Sequence, residues 1–173
     1  MNFRKPLCAA IIAALYVSGV HADPISKDKV ASGKIDDTIC GIKVIGGNLK
    51  SSEAILGKGK FTGKADLTKK YVWNKESMQI EISFSKDDGA IKLVGVKGSD
   101  PAGICKTGRG LQLGQTLEEV RKLYGQFDSE EASKGGATNV IAVWSENEDL
   151  YINMSFQKNS HQLSKIEVQY MLE

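Results

Sequence analysis

Thiols, a histidine and grouped carboxylates are the side chains of this sequence able to do chemistry, and their spacing decides what each can do. Of the three cysteines, Cys8 opens an apolar run near the N-terminus, and Cys40 and Cys105 lie far apart in the remainder. No Cys-x-x-Cys spacing occurs, so neither a dithiol redox centre nor a zinc knuckle is written here. A nucleophilic Ser or Cys needs a histidine held on a rigid element. His161 falls instead in an expected turn between two strands. Carboxylates group at Asp87-Asp88, Glu118-Glu119, Glu130-Glu131 and Glu146/Glu148/Asp149, all in expected turns or at a helix start. Glycoside hydrolysis asks for two carboxyl groups roughly 5–10 Å apart in a cleft, and turns do not supply that. The acidic run at 146–149 also lacks the glycine and distal glutamate of a calcium loop. Gly57-Lys-Gly-Lys-Phe-Thr-Gly63-Lys64 has three residues between Gly59 and Gly63 and is followed by Ala65. A phosphate loop needs four residues there and Ser or Thr after the lysine. What remains is a basic loop, Lys58, Lys60 and Lys64 with Lys69 and Lys70 beyond, suited to an acidic partner. The expectation is a chain without catalytic residues, metal or cofactor.

The N-terminus explains the surplus histidine and cysteine. Arg4 and Lys5 precede the uncharged apolar run Leu7 to Val17, and Val20-His21-Ala22 has small-x-small character. That is the order of a secretory signal, too short for a spanning helix. Cys8 begins the apolar run instead of following it, so lipidation is not expected. Residues 1–22 therefore read as a signal cleaved near Ala22, and the protein as periplasmic or secreted. The whole chain carries 23 Lys+Arg against 21 Asp+Glu; without Arg4 and Lys5 the two counts are equal. Phosphate binding needs a basic excess, so nucleic acid is not an expected partner. No later segment is apolar enough to span a membrane. Two cysteines remain in an oxidising compartment, which predicts a Cys40–Cys105 disulfide.

These groups need elements to position them, and the chain sets out its elements twice. After an extended leader over 23–38, the first half reads Ile42-Lys-Val-Ile-Gly46, a short helix from Ser51 to Leu56, then Gly57. The second reads Leu111-Gln-Leu-Gly114, a helix over Thr116 to Tyr124, then Gly125; both glycine pairs are 11 residues apart. Each helix is followed by a polar loop, a tryptophan (Trp73, Trp144) and alternating strands. Phe84 to Val96 and Phe156 to Val168 are both 12 residues. Such self-similarity predicts duplication of one supersecondary unit. Thr116 with Glu119 forms a capping box, Leu117, Val120, Leu123 and Tyr124 make one apolar stripe, and Gly125 stops the helix. Ser51 or Ser52 is the expected cap of the first helix. Strand alternation such as Ile80/Ile82/Phe84 against Gln79/Glu81/Ser83 predicts antiparallel sheet with one dry face. The fold class is α+β: two tandem helix-plus-antiparallel-sheet repeats of about three strands each, 39–100 and 101–173, packed as one unit and linked by one disulfide.

Leu111-Gln-Leu-Gly114-Gln-Thr-Leu-Glu-Glu-Val120-Arg-Lys-Leu-Tyr-Gly125 resembles the repeat of the β-lactamase inhibitory protein family. More distantly it resembles small outer-membrane assembly lipoproteins of the BamE/SmpA type. The inhibitory family has two such units in tandem. The chain departs from it in having one expected disulfide where the family has one per unit, and from the lipoproteins in lacking a lipid-anchor cysteine. The resemblance implies a glycine-capped helix on an antiparallel sheet that presents a surface to a protein partner.

Tyr151 and Asn153, with Gln79, Glu81 and Lys165, are expected on the wet sheet face. Trp73 and Trp144 are expected at equivalent positions on leading strands. Exposed Tyr and Trp anchor protein interfaces, so Tyr151, Asn153, Trp73, Trp144, Glu81 and Lys165 are the candidate partner-binding residues, although core packing against the helix is the favoured reading for both tryptophans. The functional expectation is an exported, non-enzymatic module, an inhibitor or immunity-type protein capping another envelope protein. The alternative is an envelope assembly factor or small-ligand-binding module.

Overall fold

The structure, a computed structural model, describes residues 37–125, 127, 129–132, 138–143 and 150–170. The expected signal, almost all of the leader, Trp144 and the carboxylates at 146–149 lie outside them. The chain is α+β. Two short strands, β1 (Thr38–Ile39) and β2 (Ile42–Lys43), make a hairpin ahead of helix α1 (Leu49–Leu56). Strands β3 (Lys60–Lys64), β4 (Thr68–Lys75), β5 (Met78–Ser85) and β6 (Ile91–Gly98) follow. Helix α2 (Leu117–Tyr124) then leads to β7 (Ser129–Ala132), β8 (Thr138–Val143), β9 (Leu150–Phe156) and β10 (Leu163–Tyr170). The last eight strands form one sheet in the order β3-β4-β5-β6-β10-β9-β8-β7, every neighbouring pair antiparallel.

Period-two alternation makes this sheet, because it puts every second side chain on one face. Following the register, Trp73, Ile80, Val96, Ile166 and Met154 form one cross-strand row, and Tyr71, Ile82, Val94, Val168 and Ile152 the next. All but the half-buried Tyr71 are buried, and they share a core with Leu56 of α1 and Val120 and Tyr124 of α2. Both helices therefore lie on the dry face. The halves meet where β6 pairs with β10, Val96 opposite Ile166 and Val94 opposite Val168.

Each helix is followed by four strands, one more than expected. The extra strand in the first half is the segment expected to be a basic loop. Phe61 stacks edge-on against Tyr71 with ring centres 5.5 Å apart, and Thr62 Oγ1 donates to the Lys70 carbonyl at 3.3 Å. Gly59 lies against the Trp73 ring, where a Cβ would collide with it, so this chain segment is drawn onto the sheet. Lys60 and Lys64 thus belong to edge strand β3, and only Lys58 stays in a loop; all three side chains are exposed.

The caps differ from expectation in one helix. Helix α2 begins at Thr116, whose Oγ1 accepts from Glu119 N, and Glu119 accepts from Thr116 N at 2.7 Å. Helix α1 is capped by Asn48, not by a serine. Asn48 Oδ1 accepts from Ser51 N at 3.0 Å, and Ser51 Oγ closes the box at the third position. Asn and Ser are both good caps; the extended backbone of Asn48 (φ −149°) decides between them. Gly57 and Gly125 end the two helices with φ of 80° and 77°, a conformation that favours glycine.

Cys40 and Cys105 are disulfide-bonded. Around that bond Cys40 N donates to the Lys106 carbonyl at 3.3 Å and Gly108 N to the Thr38 carbonyl at 3.2 Å, so the starts of the two halves are tied together. The linker contributes a clamp. Asp100, only 8% exposed, accepts from Ile104 N at 3.0 Å and from Cys105 N at 2.7 Å. Asp100→Ala leaves two N–H groups short of an acceptor and is expected to cost about 2–3 kcal/mol in urea unfolding; an unchanged midpoint would refute the clamp.

Candidate functional site

The face of the sheet opposite the helices carries the polar half of the alternation. Its central row runs Val72, Glu81, Gly95, Glu167, Asn153 across β4, β5, β6, β10 and β9. One flanking row is Asn74, Gln79, Lys97, Lys165, Ser155, and the other Lys70, Ser83, Leu93, Gln169, Tyr151. Tyr151, Asn153, Glu81 and Lys165 are therefore brought onto one surface, as expected, each partly exposed. Trp73 is not among them. It is 4% exposed on the dry face, and its Nε1 donates to the Gly57 carbonyl at 2.8 Å. Its place as a partner-binding residue is corrected: its cross-strand partner Ile80 and its same-face neighbour Tyr71 belong to the core rows and fix it on the core side. Ala142 stands opposite Ile152 as Trp73 stands opposite Ile80, and Trp144, the other candidate, lies outside the described residues.

Four of the charges on this face are paired locally. Lys70 Nζ lies 2.7 Å from Glu81, and Lys165 Nζ 2.8 Å from Glu167, all four side chains partly solvated. Exposed pairs of this kind contribute between nothing and about 1 kcal/mol, so an incoming partner can break them at small cost. Gly95 leaves a cavity of about 150 Å³ between Glu81, Glu167, Lys97 and Lys165. A second cavity of about 450 Å³ opens at the end of the sheet, among Leu67, Thr68, Asp88, Gln169 and Tyr170.

His161 is exposed in the β9–β10 turn with φ of 53°, its N–H donating to the Gln157 carbonyl at 2.9 Å. Among the described residues no three His, Cys, Asp or Glu side chains converge as a metal site, and no helix is long and apolar enough to cross a membrane. The carboxylates that titrate abnormally are structural. Asp88 is held below its ordinary value by accepting from Ala90 N in the β5–β6 turn, then by Ser85. Glu119 is held below its ordinary 4.5 by the Thr116 N–H and then the Thr116 hydroxyl. Because the folded-state value is depressed, the stabilisation is complete above pH 4.5 and is lost as pH falls through the lower folded value. Glu119→Gln is expected to flatten the decline of stability below that pH, followed by thermal melts over an acid series; a slope identical to the parent's would contradict the cap's titration.

Compared with known proteins, the chain has no matching family model and no curated relative. Among solved structures, it is similar to a DUF4309 family protein (YjgB) of Bacillus subtilis, with a TM-score of 0.49 and 12% identity over 76% of this chain and 83% of that one. It is also similar to a cysteine-rich secretory protein of Staphylococcus aureus, with a TM-score of 0.48 and 15% identity over 71% of this chain. A third is an extracellular protein containing an SCP domain from Bacillus anthracis, with a TM-score of 0.49 and 15% identity over 73% of this chain. The chain spans 43% and 44% of the length of the last two.

Proposed function

We propose that this chain is an exported, non-enzymatic protein-binding module that caps another protein of the cell envelope with the open face of its sheet, in the manner of an inhibitor or immunity protein. The observation that carries the reading is the division of the sheet: both helices pack on one face, and the other presents Tyr151, Asn153, Glu81 and Lys165 together. Tyrosine gives a rigid apolar anchor with a polar tip, and weakly held ion pairs rearrange readily around it. The signal-like N-terminus and the resemblance of residues 111–125 to the β-lactamase inhibitory repeat support the same reading.

The test is an envelope pull-down with the chain from Asp23 onward, comparing the parent, Tyr151→Ala and Glu118→Ala on the outer side of α2. The expected result is one specifically retained protein, bound on the order of tenfold more weakly by Tyr151→Ala and unchanged by Glu118→Ala. Retention of abundant porins alone, or equal behaviour of the two variants, would sink the proposal.

A further inference from the structure

We propose that the two edges of the sheet are complementary docking surfaces for a second copy of this chain, with β7 of one copy adding beside β3 of the next. Among the described residues β3 and β7 each pair on one side only, which leaves a row of backbone donors and acceptors open to strand addition. Their side chains carry opposite charge. Strand β3 presents exposed Lys60 and Lys64, and β7 presents exposed Glu130 and Glu131. Charged edges ordinarily keep sheets apart. Lysines on both edges would do that. Lysine on one and glutamate on the other repels only like edges and attracts unlike ones.

The register makes the match specific to each face. Lys60 is opposite Val72, which is opposite Glu81, so Lys60 emerges on the open face. Glu131 is opposite Asn139, then Ser155, then Lys165, so it emerges on the open face too. Lys64 leads through Lys69 to Phe84, and Glu130 through Val140 to Met154, both on the helix face. The irregularity between Phe61 and Gly63 is what puts the two lysines on opposite faces. Each face thus has one lysine at one edge and one glutamate at the other. Polarity agrees as well. In an all-antiparallel sheet of eight strands the outermost two run in opposite directions. Copies laid side by side with the same face up therefore meet as an antiparallel pair. Glu130 already bonds Arg121 at 2.6 Å, both partly solvated, whereas no carboxylate among the described residues lies in ion-pair distance of Lys60. The open-face pair Lys60–Glu131 is accordingly the one that decides association. The contact is heterologous, so it propagates beyond a dimer unless it closes.

This inference stands apart from the capping role, which uses the face and not the edges. The experiment is sedimentation velocity of the chain from Asp23 onward over a concentration series at low and high salt. Expected is a mass that climbs above one chain with concentration at low salt and returns to one chain at high salt. Lys60→Glu alone and Glu131→Lys alone are each expected to stay single chains, since each puts like charges at the two edges of the open face. Mixed in equal amounts they are expected to associate again, because the exchanged charges face each other. A parent that remains a single chain at every concentration overturns the proposal. So does association that both single variants retain, or a mixture that stays dissociated. Thermal melts of both variants matching the parent establish that the edges, not the folds, were changed.

Discussion

Replacing Cys40 and Cys105 with alanine lowers the unfolding free energy by about 4 kcal/mol. The bond closes a sequence separation of 65 residues, and the chain-entropy account assigns roughly that value to a loop of this size. Both sulfurs sit in the core, Cys105 with no exposure and Cys40 with 7%, so no solvation gain offsets the loss. The hydrogen bonds from Cys40 to Lys106 and from Gly108 to Thr38 hold the same two segments without the bond. The reduced protein should therefore still fold, with a lower urea midpoint and a slope no smaller than the parent's, because the uncrosslinked unfolded chain exposes more surface. A midpoint that does not move on reduction would show that these hydrogen bonds already fix the two halves.

Trp73→Ala is expected to cost about 3–5 kcal/mol, in the range of large aromatic deletions from a core. Three things are lost together. The ring packs in the row with Ile80 and Val96 and lies 6.3 Å from the Tyr71 ring. Its Nε1 bond leaves the Gly57 carbonyl, at the end of α1, without its donor. Gly59, which approaches the ring too closely for any Cβ, loses the surface it lies on. In calorimetry the melting temperature should fall by about 10 °C. A melting point within a degree of the parent, with weakened partner binding instead, would return Trp73 to the interface from which its burial removes it.

What could be read from the residues, and what could not, divides along physical lines. Helix α2 was legible to its ends because its signals are local: Thr116 and Glu119 cap within one turn, and Gly125 closes the last one. The disulfide was legible from compartment and parity. Strands β5, β6, β9 and β10 were legible because burial of one face imposes period two. Edge strands escaped notice for the converse reason. Strand β3 is almost wholly exposed, so no apolar alternation marks it, and its lysines read as loop. Helix α1 began earlier than expected because Ser51 and Ser52 competed as caps with Asn48, and only the backbone angle chooses. Tyr151, Asn153, Glu81 and Lys165 fell on one face as alternation required. Trp73 joined the core, one of the two places open to it, because β4 ladders with β5 in a register that the β4 sequence, Thr-Lys-Lys-Tyr-Val-Trp-Asn-Lys, does not fix alone. Asp100 was hidden in a segment that looked like a plain hinge; its function rests on two distant-looking N–H groups that only the turn brings to its carboxylate.

Site-specific photo-crosslinking in intact cells reads out whether the open face of the sheet meets a protein partner. A photoreactive residue is placed in turn at Asn153 and Lys165 on the open face and at Glu118 and Lys122 on the exposed side of α2. Expected is one discrete adduct of the same mass from both open-face positions and none of that mass from α2. Adducts from α2 with a silent open face, or the same pattern from all four positions, would contradict binding through the open face.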